Sequence, residues 1–444
     1  MTHNLKPYPA YKPSGVEWLG DIPVHWGVKK IKHGYDIQLG KMLQPDKKSS
    51  KDIEKPYLRA ANLSWEGALL EDVKSMWFSP EELEKFKLQK GDVLISEGGD
   101  VGRSCYWGSD LELYIQNAMT RARSKSKTQF SKYLYYWMYH LKNIGQIDSI
   151  CNAATIAHFT ADKVKETLLL EPLIDEQHRI ATFLDQKTAE IDEAISKKQR
   201  LIELLKEQKA ILINQAVTKG LNPNVPMRDS GVEWIGEVPA HWEVRRVKYF
   251  SSVQGGITLG RSYSDNNLES YPYLRVANVQ DGYFNLDAVT ELSLPKWEAE
   301  QYLVRAGDIL VTEGGDIDKL GRGTVWEGEI ENCLHQNHIF AVRIDKRTAT
   351  EHFIALAMAC DYGRHYFTAT ANKTTNLAST NRTKLGNFPI ALPPLDEQMK
   401  LVNYSKRIGR EYEKVIEIVS KELERLNEFR CSLIASTVTG KIRV

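Results

Sequence analysis

From Leu184 onward the apolar positions fall into a rhythm. Leu184, Thr188, Ile191, Ile195, Lys198, Ile202, Leu205, Lys209, Leu212 and Ala216 step alternately by four and three. That is a heptad seam of about four heptads, the pattern of a helix with one apolar stripe. No proline stands between Pro172 and Pro223, and no glycine until Gly220, so the spacing predicts one long helix ended by "GLNPNVPMRDSG" (Gly220–Gly231). The matching positions 221 residues later are Ser405, Gly409, Tyr412, Ile416, Val419, Leu423, Leu426, Arg430, Leu433 and Thr437, with Gly409 as a weak point. A helix of about 40 residues with one apolar stripe needs a partner. The nearest candidate is its own copy, joined through Ile191, Ile195, Ile202, Leu205, Leu212, Tyr412, Ile416, Val419, Leu423, Leu426 and Leu433.

Before each helical stretch the pattern changes to short alternating strands and turns. "GDVLISEGGD" (Gly91–Asp100) and "GDILVTEGGD" (Gly307–Asp316) are Gly-Asp turns feeding β-branched, apolar strands that Gly-Gly then breaks. "KYLYYWMYHLKN" (Lys132–Asn143) and "EHFIALAMACDYG" (Glu351–Gly363) read as buried helices. The two halves are copies. "SGVEWLGDIPVHW" (Ser14–Trp26) returns as "SGVEWIGEVPAHW" (Ser230–Trp242), and "YLRAANL" (Tyr57–Leu63) as "YLRVANV" (Tyr273–Val279), each 216 residues on. After a short insertion, "QN" recurs at Gln116 and Gln336, and "PLIDEQ" (Pro172–Gln177) answers "PPLDEQ" (Pro393–Gln398). A period this long is a domain duplication, not a solenoid. The expected organisation is an α+β globule over 1–171, a helical spacer over 172–219, a linker over 220–229, a second globule over 230–391 and a second spacer over 392–444.

The 444 residues are 42% hydrophobic and 26% charged, an ordinary globular composition with room for a core in each half. No apolar run approaches the length of a membrane span, and the first residues lack the apolar core of a signal peptide. Five scattered cysteines make neither a disulfide framework nor a zinc knuckle, which fits a reducing cytoplasm. A net charge of +1 does not by itself announce a nucleic-acid partner. Its distribution says more. Leu113–Ile147 carries no acid, yet holds Arg121, Arg123, Lys125, Lys127 and Lys132, either as a solvated loop or as a patch facing phosphates.

A search for catalytic chemistry turns up little. The Gly-Gly turns are not followed by a helical pattern with Lys-Ser/Thr, so they are not phosphate-binding loops. "LPPLDEQ" lacks the Asn and the aromatic of a methyltransferase base-flipping loop, and reads as a helix start. Glu97, Asp100, Glu313 and Asp316 offer carboxylates for a metal, but fit better as turn residues at strand ends. The 11 histidines show no zinc spacing. Two globules and two long helices without an evident active site suit a binding device.

The order of these motifs in both halves resembles the specificity subunit of type I restriction–modification enzymes. The resemblance covers essentially the whole chain. It implies two target-recognition globules separated by two helices that pair as an antiparallel coiled coil, related by an internal pseudo-twofold axis. It implies a subunit without catalysis of its own that reads a bipartite double-stranded DNA site. Two modification subunits and the restriction subunits would dock on it, using S-adenosylmethionine, ATP and magnesium. Phrases repeated almost verbatim cannot distinguish two half-sites, so Trp18, Trp26, Arg59/Arg275, Asn62/Asn278 and "DEQ" are expected to be scaffold. Readout is expected where the copies diverge. The side chains there suited to base edges are Lys47, Lys48, Arg103, Arg121, Arg123, Asn152 and His158, then Arg261, Asn266, Lys319, Arg322, Asn337, Lys373, Asn376 and Arg382. The other reading is a non-catalytic protein-binding scaffold of two modules on a coiled coil.

Overall fold

A computed structural model describes residues 6–151, 158–260, 263, 267–315, 320–321, 323–373 and 378–444. The chain divides into two compact units. Unit one is Met1–Gln199 with Lys421–Val444, and unit two is Arg200–Ser420.

In unit one the apolar run after Gly91 becomes Asp92–Ser96, buried at every position. It lies inside a four-stranded antiparallel sheet in the order Ser104–Trp107, Asp92–Ser96, Met119–Ser124, Tyr35–Leu39. A second sheet places Ile53–Leu58 between Lys74–Phe78 and the short parallel strand Tyr114–Ile115. The helix Ser131–Asn143 buries Tyr133, Leu134, Trp137 and Leu141 against the first sheet. Unit two repeats this plan. Its four strands run Ser251–Gly255, Ile339–Ile344, Ile309–Thr312, Gly323–Val325, beside a sheet of Thr290–Pro295, Leu268–Leu274 and Leu334–His335. The helix expected over Glu351–Gly363 is two, Glu351–Ala359 and Asp361–Thr370. They part at Cys360, whose backbone is extended, and a Cβ at Gly363 would lie 2.4 Å from the Met358 carbonyl oxygen. Only glycine lets the second helix start that close to the end of the first.

The two heptad stretches are single helices, Ile174–Lys219 and Leu395–Val438, each contributing residues to both units. In unit one, Asp192 meets Arg430 and Lys198 meets Glu422; as one number rises the other falls, so the helices pair antiparallel. In unit two, Lys209 meets Glu413. The pairing explains why two lysines are tolerated in the first helix's seam: each stem lies in the seam while its ammonium reaches a glutamate. Ile191, Val419 and Leu433 are buried, and Ile195, Ile202, Leu205, Leu212, Tyr412, Ile416, Leu423 and Leu426 half-buried. Among the described residues, no helix is long and apolar enough to cross a membrane.

Candidate nucleic-acid interface

The repeated phrases build the frame. In unit one the "DEQ" glutamate, Glu176, is 4% exposed and accepts hydrogen bonds from Trp26 Nε1 (3.0 Å) and the Tyr8 hydroxyl, with His25 Nε2 at 3.0 Å. In unit two Glu397 faces the indole of Trp242 (3.1 Å) and the imidazole of His241 (2.9 Å). The neighbouring glutamine does equivalent work in both. Gln177 accepts from the Phe130 backbone N–H and donates to Pro172 O, and Gln398 accepts from Thr350 N–H and donates to Pro393 O. The "HW" and "DEQ" words are thus two halves of one clasp fastening each globule to its helix start. Trp26 is fully buried, but Trp18 is 37% exposed, its ring resting against Trp137. Asn62 and Asn278 close short turns, each accepting from the N–H of the arginine three residues earlier (Arg59, Arg275) and donating to two carbonyls further on.

This frame carries a small exposed surface at the ends of the central strands. The glycines Gly40 and Gly256 bring two backbones together: a Cβ there would lie about 2 Å from the Gln116 or His335 carbonyl oxygen. That approach holds the Gln-Asn loop in place, with Asn117 N–H on Lys41 O and Asn337 N–H on Ile257 O. Next to it runs the Glu-Gly-Gly turn. Glu97 N–H donates to Ala118 O and Glu313 N–H to His338 O, while the carbonyls of these glutamates accept from Phe159 and Thr380 N–H. Segments far apart in the chain therefore converge on the same turn in both units.

The side chains on this repeated backbone differ. Unit one has Lys41, buried and paired with Glu82, where unit two has the apolar Ile257. It has Ala118, at φ 71°, where unit two has His338, whose Nδ1 is 2.6 Å from Glu313. Below the second loop, burial pushes the His335 imidazole down to about 4; its counterpart is Ile115. His158 is exposed beside Gly98 of the first turn. In unit two, Gly314–Gly315 pairs with Ala378–Ser379, which pairs in turn with Asn372–Lys373. Arg382 is exposed, its guanidinium reaching across Gly255 near the Asn337 carbonyl. Arg382 and the Asn337 backbone thus both flank Gly255.

Other candidates sit differently. Lys47 and Lys48 are exposed on a loop that Asp52 ties down by accepting from Lys48 and Ser49 N–H, with the Lys47 ammonium 5.1 Å from the Trp77 ring centroid. Arg103 is half-buried and donates to Ala60 O. Arg121 is 3% exposed and paired with Asp36. Arg123 grips the buried Asp92 with two nitrogens, at 2.7 and 2.8 Å, as Arg343 grips Asp308 in unit two. Arg121 and Arg123 are thus spent inside the fold, and with Lys132 on Asp185 the acid-free run does not form an open basic patch. Asn152, Arg261, Asn266, Lys319, Arg322 and Asn376 lie outside the described residues. Reading by residue type gave Glu97 and Glu313 only as turn or metal carboxylates, not as part of this surface, and passed over His338. The signal for His338 was present: it is the first position after a repeated "QN" where the copies differ. Among the described residues, no three His, Cys, Asp or Glu gather closely enough to hold a metal ion.

Comparison with known proteins finds the same duplication. A sequence model of the type I restriction modification DNA specificity domain matches residues 23–204 and again 239–425. The specificity subunit of the type I restriction enzyme EcoKI of Escherichia coli K12 is 21% identical over 401 residues, 88% of this chain and 83% of that protein. The MjaVIII specificity subunit of Methanocaldococcus jannaschii is 25% identical over 369 residues, 80% of each chain. A solved chain, described in terms of complex assembly and conformational transition of the type I restriction–modification system, superimposes with a TM-score of 0.68 at 14% identity. It covers 94% of this chain and 98% of its own, a likeness of fold.

Proposed function

This chain belongs to the type I restriction modification DNA specificity family, and from that premise we propose that it reads a bipartite double-stranded DNA site, one half with each unit. One observation carries the reading. Both units hold a Gln-Asn loop and a Glu-Gly-Gly turn with the same backbone hydrogen bonds, yet present different exposed side chains. A constant frame with variable tips is what two different half-sites demand, because base edges in the major groove are told apart by a few donors and acceptors. Phosphate contacts set affinity without choosing sequence, so a near-neutral chain is compatible with this role. In this reading the paired helices dock two modification subunits and restriction subunits. The methylation and ATP-driven cleavage belong to those partners, with their S-adenosylmethionine, ATP and magnesium, in the cytoplasm.

The test is to assemble the chain with its modification subunits and map methylated adenines by sequencing. A single split motif is expected. Replacing Ile317–His338 and Asn372–Thr383 with the corresponding loops of unit one should move the second half-site toward the first, on the opposite strand. Non-specific affinity and its salt dependence should hardly change. An unaltered second half-site in a folded graft would refute the assignment of readout to these loops.

A further inference from the structure

Each unit holds a cavity at the same place, walled by its globule and by both long helices, and the two copies differ in what fills it. In unit one the cavity is about 300 Å³. Trp65, Tyr135 and Tyr139 crowd it: the Trp65 and Tyr139 rings meet edge to face at 5.0 Å, and the Tyr135 hydroxyl donates to Trp65 O. Ion pairs of Lys132 with Asp185 and Arg430 with Asp192 close the rim. In unit two the cavity is about 620 Å³. The helix positions equivalent to Tyr135 and Tyr139 are Ala355 and Ala359, as fixed by the shared glutamine bond at Phe130 and Thr350. Thr188 becomes Gly409, where a Cβ would meet nothing within 4 Å. Trp65 becomes Asp281, which pairs with Arg364 instead. The walls left behind are mostly apolar, chiefly Ile213, Val325 and Leu356, with Tyr283 and Phe284 standing where unit one has Gly67 and Ala68; Lys209, Lys406 and the His352–Glu327 pair supply polar groups.

We propose that the unit-two cavity is a binding site for an aromatic ring bearing a hydrogen-bonding group, of the phenol or indole kind. The argument is substitution in place. One fold has built the same chamber twice, and in unit one the groups occupying it are a tryptophan and two tyrosines. Without them, and even with Tyr283 and Phe284 in its wall, the unit-two chamber is about 620 Å³ against about 300 Å³, and it forfeits packing contacts unless something enters. Its volume lies in the range of small-molecule sites, and apolar walls with a few polar groups at the edge are the usual lining. The ring is supplied either by a free small molecule or by a side chain of an assembling subunit.

The full-length chain titrated with 5-fluoroindole or 4-fluorophenol, followed by fluorine NMR, should show one saturable site. Ala355→Tyr with Ala359→Tyr restores the two tyrosines of unit one and should abolish it. Gly409→Thr, whose Cβ meets nothing within 4 Å, should weaken it severalfold. No saturable binding, or binding undiminished in both folded variants, overturns the proposal. A second measurement separates the sources and rests on the proposed function. If a subunit supplies the ring, the double variant and excess indole should each displace one modification subunit; if a small molecule does, assembly should be unchanged. Failure of the unaltered chain to assemble would count against the proposed function alone, since the first titration needs no partner.

Discussion

Cutting the same bond in both clasps should cost unequal amounts. In Glu176→Ala the carboxylate lost is 4% exposed, and two donors lose their acceptor inside the core: the indole of Trp26, 0% exposed, and the hydroxyl of Tyr8, 6% exposed. A buried donor left without a partner costs about 1–3 kcal/mol, so the pair amounts to about 3–5 kcal/mol. His25 stands near solvent and adds little. In Glu397→Ala only the Trp242 indole is stranded, because Tyr8 has no equivalent: the matching residue is Asn224. The Glu397 side chain is also 26% exposed, so water can replace part of it, and the expected cost is about 1–2 kcal/mol. Glu176→Gln keeps an acceptor oxygen and should recover about half of the first loss. Urea unfolding followed by tryptophan fluorescence measures all three. Equal losses for the two alanine variants, or a larger loss for Glu397→Ala, would refute the clasp as the origin of the stability.

Arg123→Ala strands the buried carboxylate of Asp92 and should destabilise unit one by about 3–5 kcal/mol while leaving the methylated sequence unchanged; Arg382→Ala should do the reverse, with near-unchanged melting and about 1–3 kcal/mol of lost discrimination in one half-site, read by the methylation map. His335 is held neutral in the fold, so the unfolded chain binds the extra proton between pH 6.5 and about 4: stability present above pH 6.5 should fall by up to about 3 kcal/mol as pH drops through that window, and His335→Ile should remove this part of the loss in urea melts at pH 7 and pH 4.5. In the helical seam, Leu433→Ala should cost about 2–4 kcal/mol because the side chain is 3% exposed, whereas Leu205→Ala, half-buried, should cost about 1 kcal/mol, compared by thermal melting.

The long helices were legible because both the seam and the absence of Gly and Pro are local properties of the chain. The duplication was legible because identity survives at fixed spacing. What could not be read was which repeated words touch: Trp26 and Glu176 are 150 residues apart, and nothing local links an indole to a carboxylate at that distance. The acid-free run misled for the same reason. Arg121 and Arg123 lie on a strand, and their partners Asp36 and Asp92 come from the two strands that flank it in the sheet. Charge counted along the sequence cannot see neutralisation across a ladder. Trp18, expected from its repeated phrase to be scaffold, lies on the flank of Trp137 with one face open. The Gln-Asn loop looked like a landmark, and its place beside the Glu-Gly-Gly turn depends on Gly40 and Gly256 admitting another backbone.

The unit that repeats in the sequence is not the unit that is compact. Unit one borrows Lys421–Val444 from the far end of the chain, and those residues are the counterparts of 200–223, just beyond the first helix's own half in unit one. A fragment ending near Leu221 would carry the first globule without the helix segment that completes it, but would hold that segment's diverged counterpart, idle, in its own tail. Two such fragments could each lend the other what it lacks, so the fragment's folding should follow mass action, sharpening as concentration rises, where the intact chain's does not.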